Sequence, residues 1–192
     1  MQLTTNKTAG SISHQRVASV IRTATADVFS TMLGLDTQPG ELEVHKVPTG
    51  TRSGVTALLG LTGDWVGSGQ VSCEPSMACK IASAMLMAEY DSVDDDVLDA
   101  IAEVANMVVG NIKNLIEDDL GPMGLSTPTV ISGCDFETRT PGNPDWVLVP
   151  FECDGETVTV QVVLAPATGV ARKRHSLLTE ELAGIAELAC VA

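Results

Sequence analysis

The longest helical pattern in the 192-residue chain lies between about residues 93 and 120, and this segment constrains the fold more than any other. When it is projected at about 100° per residue, its apolar side chains gather on one side. They are Val97, Ile101, Val104, Ala105, Val108, Ile112, Leu115 and Ile116. Gly121 and Pro122 end the pattern. A stripe this wide must be buried, so the fold has to supply a layer against which the helix packs.

The opposite side of the same helix carries polar residues at alternating spacings of four and three. They are Asp99, Glu103, Asn106, Gly110, Lys113 and Glu117, and we call them the polar row. An exposed Gly inside a helix costs about 1 kcal/mol relative to Ala, but it lets another protein's backbone approach closely. Two interpretations stay open at this point: a solvated helix face, which is the ordinary role of a charged row, and a surface that binds a partner.

Two strand pairs with turn residues between them predict an antiparallel sheet. Residues 54–61 and 65–73 flank a Thr-Gly-Asp turn, and residues 146–153 and 157–164 flank Asp154-Gly155. An Asp-Gly pair between two apolar runs is a strong hairpin signal, because both residues tolerate the positive φ that such turns need.

The remaining segments complete an α+β pattern. Residues 17–33 and 77–90 have helical spacing, and Pro75 stands where a first-turn proline belongs. Residues 41–47 alternate weakly and could form a strand, and residues 125–133 form an extended segment. We therefore predict a single domain in which an antiparallel sheet packs against long helices.

The ends of the chain have a different character. Residues 1–15 are polar and predict a flexible extension, residues 16–168 predict the folded domain, and residues 169–192 predict a tail with a short helix from about Glu180. The N-terminal residues have no apolar run typical of a signal peptide. No stretch reaches the roughly 18 apolar residues of a spanning helix. We therefore expect a cytoplasmic protein.

Charge excludes two classes of partner. The chain has 11 Lys and Arg against 25 Asp and Glu, a net charge of −14. A field of that sign repels phosphate backbones and anionic lipid, so nucleic acid and membranes are poor candidates.

Several motifs that could indicate a metal or phosphate site lack the necessary spacing. The five cysteines include no C-x-x-C pair, and the three histidines are scattered. The aspartates of residues 91–99 do not follow the calcium-loop pattern, and the glycines of residues 60–69 do not follow a phosphate-loop pattern. The aspartates of residues 91–99 instead stand at the start of the long helix, where negative charge interacts favourably with the positive end of the helix dipole. We expect no metal or cofactor of the protein's own.

The polar row also contains a familiar pattern, Asp99-x-x-x-Glu103-x-x-Asn106, which continues through Met107 and Gly110 to Asn111. This pattern resembles the signature of the CheC/CheX/FliY phosphatases, in which Asp or Ser is followed after three residues by Glu and after two more by Asn. Residues 60–86 resemble the family's strand, turn, strand and helix upstream of the signature. Residues 124–133 resemble its Ser-x-Pro-Thr strand downstream. The pattern occurs once in this chain, which resembles the CheX type more than the double-motif CheC type.

The resemblance implies that the protein hydrolyses the aspartyl phosphate of a CheY-like response regulator. It implies that Asn106 orients the attacking water and that Glu103 pairs with a lysine of the regulator, which also supplies Mg²⁺. Asp99, Met107 and Gly110 are then expected to contact the partner, and the protein is expected to be a homodimer. Two alternatives remain: a non-catalytic adaptor module on the same fold, and a plain structural domain with a solvated polar row.

Overall fold

The computed structural model describes residues 12–46, 52–136 and 144–167. Within these ranges there are three α-helices: α1 (His14–Val28), which continues as a π-helical turn over Phe29–Leu33, α2 (Pro75–Leu86) and α3 (Asp95–Leu120). The strands are β1 (Gln38–Pro39), β2 (Glu43–His45), β3 (Arg52–Gly63), β4 (Trp65–Cys73), β5 (Met123–Leu125), β6 (Thr129–Phe136), β7 (Trp146–Cys153) and β8 (Glu156–Pro166).

All strands join one antiparallel sheet in the order β1–β7–β8–β4–β3–β5. The short strand β2 also pairs with β7, and β6 also pairs with β3. The long central strands β3, β4, β7 and β8 therefore form a continuous platform, and the short strands lie along its two edges.

The three helices lie on one face of this sheet. Their buried residues form a single core with alternate residues of the central strands, such as Val71, Val149 and Val160. Helix α3 contacts both α1 and α2. The register places other side chains on the opposite face, which we call the helix-free face. Its central residues are Thr56, Leu58, Ser68, Gln70, Ser72, Trp146, Leu148, Pro150, Thr159, Gln161 and Val163.

Both predicted hairpins are confirmed. Strands β3 and β4 pair across the 62–64 turn, and β7 and β8 pair around Asp154 and Gly155. These two turn residues have φ angles of 49° and 75°, the left-handed backbone that a tight hairpin turn requires. The α+β class and the layered arrangement of sheet and helices are confirmed as well.

Several boundaries differ from the prediction. Helix α1 already begins at His14, since the Ser13 hydroxyl accepts a hydrogen bond from the Arg16 amide (3.2 Å) and caps the helix. Helix α2 begins at Pro75 and ends at Leu86, earlier than expected, because Met87 takes the left-handed conformation. The extended segment 125–133 is two strands, β5 and β6, which both pair with β3.

The remaining end predictions lie mostly outside the described residues. Residues 1–11 of the predicted extension and residues 168–192, with the tail and its predicted short helix, belong to that part of the chain. Among the described residues, no helix is long and apolar enough to cross a membrane.

Candidate active site

Helix α3 begins at a capped and acidic first turn. The Asp94 carboxylate accepts a hydrogen bond from the Val97 amide (3.0 Å), and Asp95 and Asp96 follow in the first turn. Negative charge at this end interacts favourably with the positive end of the helix dipole. The aspartates before α3 therefore act locally, as the sequence predicted.

One side of α3 is buried along the whole helix. Ten residues make up this side: Val97, Ala100, Ile101, Val104, Ala105, Val108, Val109, Ile112, Ile116 and Leu120. Leu115 was predicted in this stripe, but it is 39% exposed. At this position α1 meets the helix through a polar contact, in which the Arg16 guanidinium donates to the Leu115 carbonyl (3.3 Å) and pairs with Asp119 (2.9 Å).

The first half of the polar row faces away from the buried side. Asp99 and Glu103 are exposed, and Asn106 is half-buried. Their side chains make no hydrogen bond or ion pair with any described residue. The three side chains lie on successive turns of one rigid helix, so a carboxylate and a carboxamide are presented together and are free to bind a partner.

The second half of the polar row is tied to the fold instead of facing solvent as predicted. The Lys113 ammonium pairs with the Glu117 carboxylate (2.7 Å), and the same carboxylate oxygen accepts from the Met123 amide (2.7 Å). The hydrogen bond from Lys113, followed by that from Met123, lowers the pKa of Glu117. These two residues therefore hold the turn between α3 and β5.

Gly110 lies between the two halves, next to the sheet edge. A Cβ built on Gly110 would be 3.8 Å from a Leu125 methyl carbon, an ordinary contact distance. Gly110 is thus half-buried, not fully exposed as predicted. Met107, the other predicted partner contact on this part of the helix, is partly buried against the core.

Ser126 anchors the sheet edge beside the polar row. Its hydroxyl accepts a hydrogen bond from the Gly60 amide (2.8 Å) and donates to the Thr127 carbonyl (2.9 Å), and its amide donates to the Gly60 carbonyl (2.9 Å). In the sequence, the Ser-x-Pro-Thr stretch indicates a family resemblance and does not reveal these contacts. In the structure this serine joins β3 to the segment between β5 and β6.

The surroundings of the free carboxylates are strongly acidic. Between Lys80 and Lys113 the chain contains seven acidic residues and no Lys or Arg. The first half of the polar row therefore presents negative charge, which favours a cationic group on a partner.

The described residues offer no metal cluster and no activated thiol. No group of three or more His, Cys, Asp or Glu that could hold a metal is found among them. Cys73, Cys79 and Cys153 are buried and free, and Cys134 is exposed and free. Burial, and then the negative charge of Glu156, raise the pKa of the Cys73 thiol to about 12. A thiol in that state is a poor nucleophile at neutral pH.

Known proteins resemble this chain in both sequence and fold. Residues 55–152, just over half of the chain, match the family described as "Chemotaxis phosphatase CheX". The "CheY-P phosphatase CheX" of Thermotoga maritima is 30% identical over 129 residues, which are 65% of this chain and 83% of that protein. A crystal structure of a chemotaxis protein CheX from Desulfovibrio desulfuricans has 29% identity and a TM-score of 0.69, covering 78% of this chain and 99% of that one.

A complex of related fold is also known. The CheX–CheY–BeF₃–Mg²⁺ complex from Borrelia burgdorferi has a TM-score of 0.64 and covers 76% of this chain and 96% of that one. At 24% identity this likeness shows the shared fold alone. The matched residues 55–152 run from β3 through α3 to β7, so they include the whole polar row as well as the strands that support it. The chain therefore belongs to the chemotaxis phosphatase CheX family.

Proposed function

We propose that this protein hydrolyses the aspartyl phosphate of a CheY-like response regulator and that Glu103 and Asn106 act on the phosphorylated site. One observation carries the proposal. This chain belongs to the CheX family, and its Glu103 and Asn106 side chains lie one turn apart on the outer side of α3. Neither has a hydrogen-bond or ion-pair partner among the described residues. Side chains that the fold does not use are free to meet another protein.

The reaction makes modest demands on the enzyme. An aspartyl phosphate is a mixed anhydride, and water attack on phosphorus breaks the bond to the aspartyl oxygen and releases a carboxylate and inorganic phosphate. The main requirement is a water molecule held in line with that bond. The Asn106 carboxamide has one acceptor and two donor hydrogens, so it can hold a water and a phosphoryl oxygen together.

Glu103 has a different role in this proposal. Its carboxylate pairs with a lysine beside the regulator's phosphorylated aspartate, which fixes the docking register and helps to locate the water. Asp99 extends the negative surface one turn towards the helix start. On the other side of Asn106, Gly110 and Met107 provide a partly apolar surface, and the missing side chain of Gly110 lets a partner approach closely.

The relatives support a regulator partner. The Thermotoga maritima relative is named a CheY-P phosphatase, and the Borrelia burgdorferi complex joins a CheX to CheY with BeF₃ and Mg²⁺. In this proposal the regulator supplies the Mg²⁺, which neutralises phosphoryl charge. We also propose that the protein is cytoplasmic, like the regulator, and that it forms a homodimer.

The test is phosphate release from a phosphorylated CheY-like regulator in the presence of Mg²⁺. Asn106→Ala should reduce the rate by about 100-fold or more, since misplacing a reacting atom by about 1 Å has an effect of that size. Thermal stability and regulator binding should change little, because the carboxamide fills no space in the core and Ala favours helix.

Asn114→Ala is the matched control. Asn114 is an exposed Asn on the same helix, but it lies outside the polar row and outside the motif, so its replacement should leave the rate unchanged. Near wild-type activity of Asn106→Ala would refute the mechanism. The adaptor function would then be favoured if this variant still bound the regulator.

A further inference from the structure

The end of helix α2 exposes two adjacent apolar side chains, Leu86 and Met87, which we call the apolar pair. Leu86 is 43% exposed and Met87 is 94% exposed, more than any other large apolar residue that the structure describes. Ala88 and Glu89, which follow, are exposed as well. Single exposed apolar residues are ordinary on protein surfaces, so the backbone and the surroundings of this segment decide what the pair indicates.

The backbone of Met87 has a conformation that suits glycine. Its φ and ψ angles are 52° and 40°, in the left-handed region, where an L side chain crowds the neighbouring carbonyl. The π-helical turn after α1 ends at Gly34 and α3 ends at Gly121, both with positive φ. Glycine takes such a backbone without crowding and exposes no side chain. Met87 therefore costs both stability and solubility, and residues held at such a cost are concentrated at functional sites.

Tyr90 connects the apolar pair to the first turn of α3. Its amide donates a hydrogen bond to the Ser83 hydroxyl (3.2 Å), which folds the chain back onto α2, and its own hydroxyl donates to the Asp96 carboxylate (3.3 Å). Partial burial, and then the negative charge of Asp96, raise the pKa of Tyr90 above its ordinary value of 10, so the phenol keeps this proton at neutral pH.

These bonds place the apolar pair near the start of the polar row. Asp96 precedes Asp99 by three residues, so the two side chains are neighbours on the surface of α3. Three residues separate Met87 from Tyr90, which limits the distance between their Cα atoms to about 11 Å. The apolar pair, Asp96 and the first half of the polar row therefore form one continuous surface.

The charges around the apolar pair determine what it can bind. Acidic residues flank it along the chain and at the start of α3, and residues 81–112 include no Lys or Arg. These acids are Glu89, Asp91, Asp94, Asp95 and Asp96. A second copy of this chain would bring two such acidic surfaces together, and an anionic membrane would be repelled in the same way. A protein surface that has an apolar side chain next to a cation fits instead.

We propose that the apolar pair is a second contact surface for the phosphorylated regulator, and this inference rests on the function proposed above. The first half of the polar row meets the phosphorylated site, and Leu86 and Met87 pack on an apolar side chain beside that site. Methionine suits such a contact because its unbranched, flexible side chain adapts to an uneven surface. The pair contributes to docking by removing apolar surface from water, and it takes no part in the chemistry.

Met87→Gly tests this role, because it removes the side chain and relieves the crowded backbone. The regulator concentration at half-maximal phosphate release should rise by about tenfold, an effect in keeping with the loss of one buried methionine side chain. The rate at saturating regulator should stay the same, whereas Asn106→Ala lowers that rate. The urea concentration at half-unfolding should not fall, since glycine favours the left-handed backbone.

Two further variants identify the cause. Met87→Asn keeps a side chain and tolerates the left-handed backbone, so an equal loss of affinity excludes a loosened loop as the reason. Val44→Ser is the matched control, because Val44 is also exposed (42%) but lies on β2, at the edge of the sheet opposite to β5. It should leave the dependence on regulator concentration unchanged.

The outcomes distinguish this inference from the proposed function. If both Met87 variants kept the wild-type dependence on regulator concentration, the second contact surface would be overturned and the function would stand. If the wild type released no phosphate, the function would be refuted, and a binding titration with a regulator carrying BeF₃ and Mg²⁺ would decide the surface. Lower affinity of both Met87 variants in that titration supports it. Equal affinity overturns it, and a lower mass of these variants in light scattering would then assign the pair to contact between copies.

Discussion

At the scale of single residues, Glu103 differs from Asn106 in charge, and we expect its replacement to affect binding as well as rate. Glu103→Gln keeps the size of the side chain and removes the attraction to a lysine of the regulator. We expect regulator binding to weaken by about tenfold, which is about 1.4 kcal/mol. A binding titration measures this, with Asp118→Asn, an exposed acid on the same helix, as the control. Unchanged binding of Glu103→Gln alongside lost activity would assign Glu103 to chemistry alone.

Gly110 lets stability and binding be separated at one residue. Gly110→Ala should raise the free energy of unfolding by up to about 1 kcal/mol, because Ala is the better helix former and its Cβ would meet only Leu125 at 3.8 Å. The same methyl group should weaken regulator binding if the partner's backbone approaches here. Chemical unfolding and a binding titration measure the two effects.

Gly69 provides the contrasting control. A Cβ there would come within 2.5 Å of a Val109 methyl carbon, so Gly69→Ala should destabilise the packing of α3 on β4. If the Gly110→Ala variant were more stable and still bound the regulator normally, Gly110 would not be a partner contact.

At the scale of elements, the end of α3 depends on one carboxylate that bonds both to Lys113 and to the following turn. The pKa of Glu117 is lowered from its ordinary value of 4.5, so the folded state binds the proton less tightly than the unfolded state. Its contribution to stability is therefore present above about pH 4.5 and is lost as the pH falls through the lower folded pKa.

Glu117→Gln should consequently reduce stability at pH 7 and flatten the decline between about pH 5 and pH 3. Urea unfolding across this pH range measures the effect, and Asp118→Asn should leave the profile nearly unchanged. If the wild type and Glu117→Gln differed equally at pH 3 and pH 7, the lowered pKa would not be the cause.

Elements with local signals were predictable from sequence, and elements defined by distant contacts were not. The Asp154-Gly155 turn and the apolar spacing along α3 act within a few residues, so the hairpin and the long helix could be identified. Strand β1 has only two residues, and its place depends on pairing with Glu152 and Phe151 more than a hundred positions away. The bond from Arg16 to the Leu115 carbonyl likewise joins distant parts of the chain, and helical periodicity cannot reveal it.

The candidate site was predicted in part for the same reason. Spacing along one helix placed Asp99, Glu103 and Asn106 on a common face, and the structure agrees. The hydrogen bond from the Met123 amide to the Glu117 carboxylate could not be read from that spacing, because Met123 meets Glu117 only after the chain reverses at Gly121.

At the scale of the whole molecule, net charge sets the conditions under which copies can associate. Each chain carries a charge of −14, so two copies repel one another at long range. The family resemblance nevertheless predicts a homodimer, which requires short-range contacts to exceed this repulsion. Salt screens charges over about 10 Å at 0.1 M and over about 30 Å at 0.01 M. We therefore expect the dimer to be weakest at low ionic strength.

Light scattering on protein at micromolar concentration should give twice the monomer mass at about 0.2 M sodium chloride and a falling mean mass at about 0.01 M. Sucrose in place of salt is the control, since it changes the solvent without screening charge, and it should not restore the dimer. Because most of the 25 acidic residues must lie outside any close interface, the mass should vary with ionic strength and not with the identity of the salt. A monomer at every ionic strength would contradict the predicted homodimer. The regulator would then have to bind a single copy of this chain, through one α3.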